Sequence, residues 1–78
     1  MKKIEILGTG CAKCQRLEKN AKKAVDELGM DAEIEEVQEL EEISARGVMS
    51  TPGIAIDGEV QATGEVLNPE QIKEMLQE

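Results

Sequence analysis

Cys11 and Cys14, separated by Ala12 and Lys13, are the two side chains whose type and spacing best suit covalent chemistry. Two thiols three positions apart can close into a disulfide and reopen, and at a strand-to-helix turn of an α/β chain that pattern points to dithiol redox chemistry. The stretch Gly8-Thr9-Gly10-Cys11-Ala12-Lys13-Cys14 stands at such a turn, between the apolar Ile4, Ile6 and Leu7 and a long helical pattern. From Cys14 onward Leu17, Ala21, Ala24, Val25 and Leu28 recur at helical spacing, so Cys14 shares the core-facing stripe and Cys11 lies off it. One thiol is therefore expected at the helix mouth, within reach of a partner, and the other turned inward: one sulfur attacks, the other resolves. Free N–H groups and the helix dipole favour a thiolate at the first position, drawing an ordinary thiol from about 8.5 toward 7. Lys13 and Arg16 bring positive charge close by and are read as thiolate-stabilising. The plain alternative, two cysteines packing as small hydrophobes, suits Cys14 but not an exposed Cys11.

Composition narrows the remaining chemistry. The chain has 78 residues, enough for one domain over residues 1–78 and near the lower limit for a core without staples. It contains no Phe, Tyr or Trp, so Ile, Leu, Val, Met and Ala must fill that core. Without histidine there is no histidine-based dyad or triad, and one chain cannot supply four Cys and His ligands to a structural zinc. Two cysteines are too few for a disulfide-rich secreted framework. No apolar run approaches a membrane span, and Met1-Lys2-Lys3 leads into a strand containing Glu5 rather than into a signal-peptide core. A soluble, cytoplasmic monomer is expected, with no membrane partner. The net charge of −8 argues against nucleic acid. Its distribution is uneven: residues 1–25 carry seven Lys and Arg against two Glu, net +5, leaving −13 for residues 26–78. Lys13, Arg16, Lys19, Lys22 and Lys23 all ride on the helix that begins at the thiols, a pattern that also describes an ordinary solvated face.

The elements that must position the thiols follow in order. Lys2 to Leu7 alternates as a strand, and the first helix runs to about Leu28 and stops at Gly29. Asp31 to Val37 reads as a second strand whose Glu33, Glu35 and Glu36 mark a charged edge. Glu39 to Arg46 is a short helix with Leu40 and Ile43 inward and acids in its first turn, ended by Gly47. Asp57-Gly58 between Ile54–Ile56 and Glu59–Thr63 signals a two-residue hairpin, with Pro52 just before its first strand. The last helix opens on Asn68, Pro69 and Gln71, a capping box, with Leu67 and Ile72 placed as a hydrophobic staple. The order strand-helix-strand-helix-strand-strand-helix predicts an α/β fold with a mixed four-stranded sheet and three helices. Ile4, Ile6, Ile34, Ile54 and Ile56 should meet the first and last helices, while the face carrying Glu5, Glu33 and Glu35 is only partly covered by the second.

With these motifs in place the chain resembles the thioredoxin and glutaredoxin superfamily, in particular the small archaeal and bacterial thioredoxin-like redox-active disulfide proteins. The resemblance spans the chain: Gly8 to Cys14 after the first strand, Thr51-Pro52-Gly53 before the third, Asp57-Gly58 in the hairpin and Gly64 beyond the fourth. It departs from the thioredoxin pattern in having Gly10 where Trp precedes the first cysteine and Ala12-Lys13 where Gly-Pro separates the two. The resemblance implies a thioredoxin-like fold, Cys11 as nucleophile, Cys14 as resolving thiol, and Pro52 after a cis peptide bond facing the dithiol. Thr51 would then offer backbone groups to an incoming peptide or glutathione. It implies a thiol–disulfide oxidoreductase acting on disulfide-containing proteins, restored by an upstream reductase or a low-molecular-weight thiol, with no cofactor beyond the Cys11–Cys14 disulfide. Two rivals use the same dithiol. A carrier of Cu(I) or another soft metal would hold it between thiolates, although copper chaperones favour Met before their first Cys and end in a strand. A redox-sensing docking module would keep the fold and signal to a partner.

Overall fold

The structure, a computed structural model, describes residues 2–77; Met1 and Glu78 lie outside the described residues. In chain order it contains β1 (Lys2–Leu7), α1 (Ala12–Leu28), β2 (Ala32–Val37), α2 (Leu40–Ala45), β3 (Gly53–Ile56), β4 (Glu59–Thr63) and α3 (Pro69–Leu76). The strands form one sheet in the order β2-β1-β3-β4. Strands β1 and β2 are parallel with Ile4 opposite Ile34, whereas β1 with β3 and β3 with β4 are antiparallel. The mixed α/β architecture expected from the element order is therefore present, with β2 as a charged edge.

Alternation along β1 and β3 divides the apolar residues between two cores. On one face Ile4, Ile6, Ile54 and Ile56 pack against Leu17, Ala21 and Ala24 of α1 and against Leu67, Ile72 and Leu76. The alanines let α1 lie close to the sheet, and each fully buried Ile or Leu contributes roughly 2 kcal/mol of apolar burial. On the other face Leu7, Val37, Ile43, Val48 and Ala55 form a smaller cluster beneath α2.

Local signals act where expected. Gly29 ends α1 at φ 61°, its N–H donating to the Asp26 carbonyl while the Met30 N–H reaches Val25, which places Met30 against the core. Asn68 Oδ1 accepts from the Gln71 N–H and Gln71 Oε1 accepts from the Asn68 N–H, completing the capping box of α3. Asp57 and Gly58, both at positive φ, make the hairpin turn. The Asp57 carboxylate accepts the Lys3 N–H at 2.9 Å, fastening that turn to β1.

Four expectations change. Strand β2 begins at Ala32 rather than Asp31, and α2 is six residues, shorter than Glu39–Arg46. Leu40 does not face inward: it is 69% exposed, because Val37, Ile43 and Val48 close the second core without it. Glu5, expected on a partly covered face, is only 5% exposed. Arg46, just past the end of α2, grips both its carboxylate oxygens at 2.8 Å, so the covering helix brings the charge that burial of Glu5 requires.

Hydrogen bonds from Arg46 hold the Glu5 carboxyl below its ordinary value of 4.5, against the opposing effect of burial. Its contribution to stability is thus fully present above that unfolded value and is lost as pH falls through the lower folded one. Arg46→Ala should destabilise the protein at neutral pH, because the buried Glu5 charge loses its partner. Without Arg46, burial outweighs the remaining pull of Lys3 and raises the Glu5 pKa, so the difference between variant and parent should begin to narrow above pH 4.5 and go on narrowing below it. Urea unfolding followed by far-ultraviolet circular dichroism measures both, since the chain has no aromatic fluorophore.

Candidate active site

The dithiol lies where the C-terminal end of β1 passes into α1. Cys11 is the N-cap of α1, its backbone extended and its Sγ accepting the Cys14 N–H at 3.3 Å. A thiol thus occupies the position that Ser, Thr or Asp fills in other helices, and one of the helix's unpaired donors points at sulfur. Cys11 is exposed and Cys14 buried, as the helical stripe predicts, and both are free thiols.

That arrangement separates the two acidities. The Cys11 thiol is lowered from its ordinary value, first by hydrogen bonding with the Cys14 thiol, then by the backbone N–H groups of Cys14 and Lys13. The Cys14 thiol is raised, first by burial and then by donating to Cys11. When the pair gives up one proton, the two opposed shifts favour the remaining proton on Cys14 and the negative charge on Cys11. Lys13 and Arg16 are exposed in the first turns of α1, where Lys13 reaches Cys11 through its main chain.

Thr51 and Pro52 approach the same strand end. The Thr51–Pro52 peptide bond is cis. Pro52 is fully buried, and its carbonyl accepts the Gly64 N–H at 2.8 Å, tying the loop to the exit of β4. Thr51 is exposed. Cys14 and Thr51 converge on Gly8, a residue for which the sequence offered no individual role. A Cβ at Gly8 would collide with Cys14 Sγ, lie 3.3 Å from Cys14 Cβ and stand 3.8 Å from Thr51 Cβ. Gly8 is anchored by its N–H to the Val37 carbonyl at 2.9 Å, so strand and helix cannot simply separate to admit a side chain. The signal in the sequence was a glycine directly after an apolar strand, a common mark of close approach.

Gln15 and Gln38 complete the frame around Gly10. The Gln15 amide donates to the Gly10 carbonyl at 3.3 Å, and Gln38 stands 3.6 Å from where a Gly10 Cβ would be. Gly10 itself has φ +84°, so it turns the chain into the helix in a conformation that side chains disfavour. Among the described residues no group of three or more His, Cys, Asp or Glu side chains is placed to hold a metal ion. Likewise, no helix among them is long and apolar enough to cross a membrane.

An exposed low-pKa thiol capping a helix, a buried partner one turn on and a cis-proline loop beside them, on a mixed four-stranded sheet, define a thioredoxin-like dithiol protein. Comparison with known proteins agrees: residues 2–77 match the family described as the thioredoxin domain. A thioredoxin of Methanothermobacter thermautotrophicus is 53% identical over 76 residues, covering 97% of this chain and 99% of the relative. One from Methanocaldococcus jannaschii is 49% identical over 73 residues, covering 94% and 84% respectively. The chain belongs to the thioredoxin family.

Two outcomes follow from this geometry. Gly8→Ala should destabilise the protein by about 1–3 kcal/mol, the cost of overpacking, and the same change should cost distinctly less in a Cys14→Ala background, where the colliding sulfur is gone. A double-mutant cycle on thermal unfolding reads the difference. Cys14→Ala alone should move the Cys11 titration up toward an ordinary thiol, since hydrogen bonding with the Cys14 thiol is the largest cause of its depression. The pH dependence of Cys11 alkylation measures that shift.

Proposed function

We propose that this protein is a thiol–disulfide oxidoreductase that reduces or exchanges disulfides of other proteins. The observation that carries this reading is the inequality of the two thiols: Cys11 is exposed at the helix N-terminus with a lowered pKa, and Cys14 is buried with a raised one. Membership of the thioredoxin family supports it.

Cys11 thiolate is the nucleophile. It attacks one sulfur of the substrate disulfide, that S–S bond breaks, and the departing sulfur leaves as a thiolate and takes a proton from water. Cys14 then loses its proton and attacks Cys11 Sγ, releasing the second substrate thiol. Two electrons have passed to the substrate, and Cys11 and Cys14 are left as a disulfide. That disulfide is the redox group, with no further cofactor, and an upstream reductase or low-molecular-weight thiol returns the two electrons. Thr51 and Pro52 form the substrate-binding edge, with Thr51 presenting main-chain groups beside the dithiol. Lys13 and Arg16 add positive charge around the thiolate. We assign this function to a single domain working as a monomer in the cytoplasm, without nucleic-acid or membrane partners.

A soft-metal carrier would need both sulfurs as thiolates in one accessible loop. Burial and a raised pKa make Cys14 a poor second ligand.

Single substitutions test the roles. Cys11→Ser should abolish reduction of a disulfide substrate, while Cys14→Ser should accumulate a Cys11-linked mixed disulfide visible by mass spectrometry. Normal turnover by the Cys11→Ser protein would reverse the assignment. Titration in thiol buffers of graded potential, with alkylation and weighing, should give a reversible two-electron transition. Thiols that resist alkylation until a chelator is added would favour the metal carrier.

A further inference from the structure

The nine Lys and Arg residues are treated in two different ways. Every one outside α1 has a carboxylate partner: Lys2 with Asp57, Lys3 with Glu35, Arg46 with Glu5, and Lys73 with Glu27 and Glu70. Of the five on α1 only Lys22 is paired, with Glu18; Lys13, Arg16, Lys19 and Lys23 have no ion pair among the described residues. In a chain with 17 Asp and Glu, four unpaired cations on one helix are not explained by a shortage of acids.

Their placement also runs against the helix. Helices α2 and α3 carry acids in their first turns, Glu41 and Glu42 in one and Glu70 in the other, whereas α1 has none and places Lys13 and Arg16 toward its positive end. A local rule broken on the element that bears the thiols points to a task at the site. Arg16, Lys19 and Lys23 fall within an arc of about 60° on the outer side of α1, opposite Leu17, Ala21 and Ala24. Lys19 and Lys23 lie about 12 and 18 Å along the axis from Cys11. An extended chain spans those distances in roughly four to six residues.

We propose that Arg16, Lys19 and Lys23 form a docking strip for an acidic segment that adjoins the disulfide of a protein substrate. This deepens the oxidoreductase reading and rests on it. The partner is a polypeptide with a local run of Asp or Glu about four to six residues from its reactive cysteine. An extended polyanion such as nucleic acid would also meet the rest of the surface of a chain whose net charge is −8. The strip orients the substrate so that its sulfur arrives at Cys11 with the acidic flank along α1, a contribution to association rate more than to the chemical step.

The test uses the reduced protein and three cystine-loop peptides that differ only in an acidic, neutral or basic flank. At low salt the acidic peptide should be reduced about tenfold faster than the basic one, and the rates should converge at about 1 M salt, where the Debye length is ~3 Å. Lys19→Glu with Lys23→Glu should remove the preference for the acidic flank while leaving the neutral peptide's rate and the Cys11 titration unchanged; Lys19→Gln with Lys23→Gln should give an intermediate result and covers the case in which charge reversal perturbs folding. Equal rates for acidic and basic peptides at low salt, with the neutral peptide reduced normally, would overturn the docking strip and leave the oxidoreductase standing. Failure to reduce any of the three would overturn both. A low-salt dimer that the Gln variants dissolve would give the strip to the acidic surface of a second copy instead.

Discussion

The sulfur of Cys14 occupies the space that a side chain on Gly8 would need, and much of the site depends on that one contact. Because Gly8 directly follows an apolar strand and is hydrogen-bonded to Val37, the contact fixes how closely the first turn of α1 can approach the sheet. It also fixes where Cys11 sits, three residues back along the same turn with its sulfur on the Cys14 N–H. Thr51 also comes toward the same hollow. The buried thiol is therefore both part of the chemistry and the packing element that joins strand, helix and loop. Its raised pKa is a consequence of that position, because the enclosure that packs the sulfur also penalises its charge.

The same economy shows on the opposite face of β1. Glu5 alternates with Ile4 and Ile6 and so must point away from the larger core, into a layer too small to leave it solvated once α2 is in place. Arg46 solves this with a two-pronged pair, since a planar guanidinium matches both carboxylate oxygens at once. A chain without aromatic residues gives α2 only Ile43 to bury, and the ion pair supplies the second attachment.

Much of this was legible in the sequence, and the exceptions have physical causes. The periodicity of α1, the glycine at its end, the Asp57-Gly58 turn and the Asn68-Gln71 capping box are local devices, and each needs only a few neighbouring residues to act. The exposed and buried roles of Cys11 and Cys14 followed from helical spacing alone, while the cis bond before Pro52 came only from family resemblance. Leu40 was misplaced because a six-residue helix has too few positions to define its inward side; Val37 and Val48, on either side of that helix, decide it. The burial of Glu5 was missed for a similar reason, since its partner lies 41 residues away and nothing local announces it. Gly8 was visible as a residue but not as a constraint, because a missing side chain reveals its purpose only beside the atom that fills the gap.

Charge on α1 is where local and global preferences part most clearly. The helix dipole would be better served by acids near Cys11, and α2 and α3 are built that way. An acid there would repel a thiolate on Cys11 and any negatively charged surface approaching it. Bases reverse both effects, and a 17-residue helix with an alanine-rich inner face and a glycine stop can bear the unfavourable interaction with its own dipole. The length of α1, twice that of α3, then gains a purpose beyond covering the sheet. It carries positive charge away from the thiols along a line, so that a partner can be held at a distance from the sulfur it presents.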